Sequence, residues 1–319
     1  MTPVTRPRPP TQPVLTRPQL LLGLGIGLAA ASIGALYTVF ARYGITQGLE
    51  SSDMTFLRFA TAGLLTAPLL GWHLWRNAAA LVASWHVWLA VSLLAGPLFG
   101  LLMFSAFEFA PPSHAAVFPF SAMSIMGTLM AARFLGDRVT TRKATGIAIV
   151  MVGLVVLSGL DAASLTGRAL IGDALFILAG TLWAGFGVVL RKNQLDPLLA
   201  TAVISMSALL TYVPVYLAVT GAARLLAADT SLVWIEIAVQ GVIAGVGTLY
   251  TYAKMVSILG PTRAAVFPAL APGLAALMAW PVLGHVPSAV EGIGLGLAIF
   301  GLLVSVTGGT SSFNTGKTS

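Results

Sequence analysis

The chain has 319 residues, 57% of them hydrophobic and only 8% charged, with a mean hydropathy of +0.91. An ordinary soluble domain carries about a quarter charged residues; there is too little polar surface here to cover a globule in water, so the class is a polytopic membrane protein. The net charge of +7 is spread in small clusters between apolar runs, which reads as orientation signal and lipid contact rather than a nucleic-acid footprint, and the lack of cysteine excludes disulfides, thiolate metal sites and a cysteine nucleophile.

Residues 1–18 are rich in Pro, Thr and Arg and have no acid. Such a stretch cannot bury a core and reads as a disordered tail. The apolar run that follows, Gln19 to Ala41, is too long for a signal-peptide core and is expected to remain as the first span. The second span is predicted from Asp53 to Leu74, the third from Trp85 to Phe109, the fourth from Ser113 to Leu135 and the fifth from Lys143 to Leu160. A connection over 161–168 leads to the sixth span, Ala169 to Leu190, and the seventh, Pro197 to Val219. The eighth is Leu232 to Val256, the ninth Pro261 to Leu283 and the tenth Pro287 to Val306, with a C-terminal tail over 308–319. Strands of a barrel would alternate with period two, which these runs do not, so every span is expected to be helical.

The chain repeats itself. Ala115-Ala116-Val117-Phe118-Pro119 returns as Ala264-Ala265-Val266-Phe267-Pro268, and Leu135-Gly136 returns as Leu283-Gly284. Gly146 and Gly153-Leu154 return as Gly294 and Gly301-Leu302. Residues 19–160 and 169–307 are thus two five-span copies, offset by about 149 residues. An odd number of spans per copy inverts the second copy across the membrane. With the N-terminus in the cytoplasm, roughly thirteen basic residues fall inside and four outside (Arg42, Arg58, Arg168 and Arg224), a positive-inside bias that places both termini in the cytoplasm. The expected fold class is an all-α polytopic membrane protein of ten helices in two inverted five-helix repeats.

Prolines punctuate matching spans: Pro119 in the fourth, Pro268 and Pro272 in the ninth. Each removes a backbone donor and kinks or opens its helix, and interrupted helices at matching places in inverted halves point to a transporter's midplane site. Rings and hydroxyls cluster on these spans and their neighbours. Ser32 and Tyr37 on the first span, Phe104 and Phe107 on the third, and Phe118 on the fourth are cavity candidates. The second copy adds Thr181, Trp183, Phe186, Tyr250, Tyr252 and Phe267. Phe120, Thr248, Thr251 and Ser105 lie among them, while Trp72, Trp75, Trp85, Trp88 and Trp234 sit near span ends as interfacial anchors. No Asp, Glu, Lys or Arg falls in the middle third of a span. This disfavours a pump built on a central carboxylate and favours uncoupled or weakly coupled transport.

Glu108 and Lys254 occupy corresponding places at opposite faces, where they either close gates or snorkel. His114 and Arg263 both precede the repeated pentapeptide and are gate candidates as well. Asp137 and His285 follow the Leu-Gly pairs as turn caps. The four histidines have no metal-ligand spacing, and no metal or cofactor is expected. An enzyme would need mid-span acids, a nucleophile with a base, or clustered ligands, so none is expected.

Two five-span inverted halves, each with a small-residue segment, a proline and a terminal Leu-Gly, resemble the drug/metabolite transporter superfamily, specifically the EamA group. The resemblance covers Gln19 to Val306. It departs where Asp137 and His285 stand for the usual Glu. It implies export or import of small metabolites, amino acids foremost, by alternating access. The first four spans of each copy would surround the cavity, with the fifth and tenth peripheral, and the bacterial aromatic amino acid exporters are the subgroup the rings fit. By resemblance the place is the bacterial inner membrane. The partners are a small-molecule substrate and lipid, without nucleic acid, and the protein is a monomer or weak homodimer. An importer, a proton-coupled drug pump or an exchanger of another metabolite on the same fold is the alternative.

Overall fold

The structure, a computed structural model, describes residues 15–110, 112–159, 167–283 and 288–307. Within an apolar span the backbone has only itself to bond, and all regular structure among these residues is helical. The first copy gives α1 (Arg17–Thr46), α2 (Ser51–Ala83), α3 (Trp85–Ala95), α4 (Pro97–Phe109), α5 (Pro112–Leu135) and α6 (Thr141–Ser158). The second gives α7 (Ala169–Lys192), α8 (Pro197–Val219), a short α9 (Ala223–Ala227) and α10 (Thr230–Glu236). A π-helical stretch (Ile237–Val246) leads into α11 (Gly247–Leu259). After α12 (Pro261–Ala264) and a 3₁₀ turn (Phe267–Leu270) come α13 (Ala271–Leu283) and α14 (Ala289–Thr307).

Among the described residues, nine helical stretches, Trp85–Phe109 taken across its break at Gly96, are long and apolar enough to cross a membrane. The expected ninth span is not one of them, because 261–283 is divided into pieces. The first span starts earlier than expected. Thr16 accepts from the Gln19 amide and Gln19 answers the Thr16 amide, a reciprocal cap that draws the end of the supposed tail into α1. The last span opens with the same device, Ser288 and Glu291 capping each other's amides. Residues 1–14, the 160–166 part of the connection, His285 and the C-terminal tail lie outside the described residues.

The packing obeys the repeat. α1 lies on α11 and α13, as α7 lies on α4 and α5; α2 pairs with α8, and α6 with α14. Every one of these pairs exchanges partners when the two copies are swapped. The sixth and fourteenth helices meet through the glycines that the repeat aligns. A Cβ built on Gly146 would stand 2.6 Å from the Ser305 nitrogen, and one on Gly153 2.6 Å from the Ala298 nitrogen. Gly294 faces Leu157 at 2.4 Å and Gly301 faces the Gly146 carbonyl at 2.7 Å. Lipid tails are as apolar as the helices, so such close backbone approach is what holds helices together in a membrane.

The interruptions fall differently from the expectation. The third span breaks at Gly96, where Pro97 lacks an N–H and Gly96 turns so sharply that a Cβ would meet the Ser92 carbonyl at 2.1 Å. Its counterpart, the eighth, widens instead into a π-helix. α5 runs unbroken through Pro119, whereas the second copy of the same pentapeptide opens at Ala265 and Val266. Two prolines four residues apart, Pro268 and Pro272, remove two donors there. One proline costs α5 only one bond.

Candidate functional site

Where the copies meet, a cavity lies between α1, α4, α5, α7, α11 and the opened ninth span. Small residues on one stripe of α1, Ala30, Ala31 and Gly34, leave the space, and Tyr37 closes one end of that stripe. Phe99 comes from α4, just past the Gly96 break. Phe120 and Met123 come from α5, just past Pro119. Trp183 from α7 and Tyr252 and Thr248 from α11 face them, with Pro268 and Ala271 from the opened span. Its volume is about 40 Å³, far below the roughly 300–1,000 Å³ of a ligand-sized pocket.

The rings form a connected wall. Trp183 lies 4.7 Å from Phe99 and 4.9 Å from Tyr252, centroid to centroid. Phe186 backs both, stacked on Tyr252 at 5.9 Å and edge-on to Trp183 at 5.5 Å. Gly187 leaves room for Tyr252: a Cβ there would be 2.7 Å from the phenol oxygen. The Thr248 hydroxyl is buried without a hydrogen-bond partner, the one polar group of the wall so placed.

Of the expected cavity residues, Tyr37, Trp183 and Tyr252 line this space. Phe186 stands behind the wall, and Phe104 is edge-on to Tyr37 at 6.4 Å. Phe107 packs on Phe176 and Phe118 on His114. Phe267 is buried against α1, in the notch left by Gly27, where a Cβ would come within 2.3 Å of the ring. Three more candidates also lie off this space. Tyr250 is 38% exposed on the outer surface, because it falls two residues from Tyr252 and so nearly opposite it on the helix. Thr181 spends its hydroxyl on the Ile177 carbonyl of its own helix. Ser32 is only half-buried and lies off the stripe of Ala31 and Gly34. Phe99, Met123 and the α1 stripe were missed, although the spacing of Ala30, Ala31 and Gly34 with Tyr37 is a legible helical face.

The gate candidates separate. His114 is wholly buried, its Nδ1 2.7 Å from Asp173 Oδ1, tying α5 to the start of α7. Arg263 is buried at the other face beside Thr262, whose hydroxyl donates to Asp137 at 2.6 Å. Asp137 thus joins the two copies rather than merely ending its own turn, which the left-handed Gly136 accomplishes. Glu108 is exposed and Lys254 half-buried, as snorkelling groups are. Trp72, Trp75, Trp85 and Trp234 are exposed, whereas Trp88 packs on the core.

A second polar knot closes the face opposite the N-terminus. Asp53 is buried at the start of α2 and accepts from Tyr216 at 2.5 Å and from Arg224 on α9 at 2.9 Å. Arg224 also reaches Glu50 at 2.8 Å. The bond to Asp53 holds the Arg224 guanidinium above its ordinary range.

The EamA-like transporter family model matches residues 21–159 and again 170–307, the same two copies that the repeat and the packing define. The chain belongs to the EamA-like transporter family. It is therefore a multi-pass membrane protein of the drug/metabolite transporter type. A solved structure titled only "Crystal structure of protein" shares the fold at a TM-score of 0.67 and 19% identity, over 90% of this chain and 97% of that one. No curated protein matches the chain.

Proposed function

We propose that this EamA-family protein exports small neutral amino acids, aromatic ones foremost, by alternating access without obligatory ion coupling. The observation that carries the reading is the cavity between the copies, walled by Tyr37, Phe99, Trp183 and Tyr252 and given a free hydroxyl by Thr248. Rings of this kind stack on a flat apolar side chain. The mechanism follows from the breaks. Half-helices hinge at Gly96 and along the π stretch, and the opened ninth span flexes at Ala265. Opening toward one face separates the Asp137–Thr262 contact. Opening toward the other separates the helix starts near His114–Asp173 and the Asp53 knot. We place ten spans in the membrane, counting 261–283 as the ninth, with both termini in the cytoplasm of the bacterial inner membrane.

One observation favours a second reading. Glu236 is fully buried, and neither carboxylate oxygen has a hydrogen-bond donor. A buried acid of this kind is what proton-coupled efflux would use. Reconstitution in liposomes separates the two. Saturable uptake of labelled phenylalanine, tryptophan and leucine that ignores a pH gradient supports uncoupled export. Uptake that follows the gradient and is lost in Glu236→Gln supports coupling. Transport of none of these amino acids would overturn the substrate reading.

A further inference from the structure

Arg58 is a cation without a counter-ion. It lies two turns into α2 and is 1% exposed. Among the described residues no carboxylate forms an ion pair with it, and arginine is almost never so deeply buried unless paired. It has five N–H donors. One nitrogen, Nη2, reaches the Ala244 carbonyl at a long 3.4 Å, and Nε has no acceptor. The guanidinium carbon instead lies 5.2 Å from the centre of the Tyr37 ring and 5.8 Å from that of Phe59. Neither buried acid on this side forms an ion pair with it: Asp53, five residues earlier on α2, is taken up by Tyr216 and Arg224. Glu236 stands against Gly44, two turns beyond Tyr37 along α1, a rise of about 10 Å.

Tyr37 is the connection. Its ring lines the cavity, and the same ring carries Arg58. The backbone carbonyl of Tyr37 accepts from Gln240 Nε2 at 2.9 Å, which leaves Gln240 Oε1 buried with no donor. Thr248 Oγ1, also unpartnered, lines the cavity from α11. An unpaired cationic donor and an unpaired amide acceptor thus both lie against Tyr37, one on its ring and one on its backbone, and Tyr37 lines one end of the ring-walled cavity. An α-amino acid carries the complement: a carboxylate, an ammonium group and a side chain.

We propose that Arg58 is the carboxylate anchor of the substrate site, with Gln240 Oε1 accepting from the substrate ammonium, a reading that rests on amino acid export. As the cavity widens, Tyr37 withdraws and the guanidinium forms a two-pronged bond to the carboxylate. The substrate side chain then lies along Trp183 and Tyr252. The incoming anion supplies the missing counter-charge, so a molecule without a carboxylate leaves Arg58 unpaired and is rejected. A purely structural Arg58, holding the π stretch through Ala244, would show no such dependence on the ligand's carboxylate.

The test uses the full chain in proteoliposomes preloaded with labelled phenylalanine, with phenylalanine, 3-phenylpropionate and phenethylamine as competitors. Thermal shift in detergent with the same three probes gives a readout independent of transport. Wild-type protein should recognise both carboxylates and ignore the amine. Arg58→Gln should lose at least about tenfold in apparent affinity for the carboxylates, and Arg58→Lys should lose less. Equal recognition of phenethylamine and phenylalanine, or unchanged carboxylate affinity in Arg58→Gln, overturns the assignment. If no aromatic probe is recognised, the aromatic reading falls, and the pairs leucine/leucinamide and alanine/alaninamide decide Arg58 by the same criterion. No preference for the acid over the amide there overturns the anchor too. Should both variants fail to fold, the wild-type acid-against-amine preference decides.

Discussion

The Ser124 hydroxyl on α5 donates to the Ala265 carbonyl at 3.2 Å, so the unbroken copy of the repeated segment bonds to the copy that has come open. The Ala269 amide bonds to Val266 in a 3₁₀ turn, and the Ala265 carbonyl finds its donor across the copies. One residue turn away, Gly127 lets the backbones approach: a Cβ there would be 2.6 Å from that of Ala265. Ser124→Ala should lower stability by about 1 kcal/mol, and Gly127→Leu should cost more through overpacking. Thermal unfolding in detergent measures both. An unchanged midpoint in Gly127→Leu would mean that the copies do not touch at this point.

Trp183 and Phe267 are both large buried rings, yet they should fail differently. Trp183 faces the cavity, so under the proposed function Trp183→Ala should alter which amino acids are transported more than it alters folding. Phe267 fills the notch beside Gly27, so Phe267→Ala should remove roughly 3 kcal/mol of packing. Comparing expression and melting temperature with the uptake of several amino acids separates these effects. A Trp183→Ala protein with unchanged substrate preference would remove that ring from the site.

Asp53 accepts from three donors, the Glu50 amide, Tyr216 and Arg224, and its two side-chain bonds are coupled. Tyr216→Phe and Arg224→Ala should each lower stability, by about 1 kcal/mol for the buried phenol and less for the part-exposed arginine. The double variant should deviate from the sum of the single losses, since both partners act on one carboxylate. A double-mutant cycle on thermal stability checks this. Strict additivity would show that the knot is not a unit.

The glycine seam of α6 and α14 predicts a clean steric result. Gly153→Leu or Gly294→Leu should force these helices apart and cost several times what a lipid-facing Gly292→Leu costs, because Gly292 has nothing within 4 Å of its Cβ position. Cross-linking of cysteines introduced on the two helices, together with melting temperatures, follows the separation. Equal effects at Gly292 and Gly294 would contradict the seam.

The sequence by itself determined the class and the presence of two copies, which the family model matches over 21–159 and 170–307. Apolar span length and an internal repeat are local, additive properties, so one dimension is enough to read them. It also marked Tyr37, Trp183 and Tyr252, which face a common space. The tertiary structure alone decided which interruptions open. Pro119 and Pro268 stand in identical pentapeptides, yet only the second copy breaks, with Pro272 following and Ser124 waiting across the copies. It alone put Arg58 behind Tyr37 and Thr262 on Asp137, contacts between residues more than a hundred positions apart or on neighbouring helices whose rotation no local pattern records. Helical periodicity gives a residue's face; what that face meets depends on the crossing of two helices, and that is fixed only when both copies close on one another.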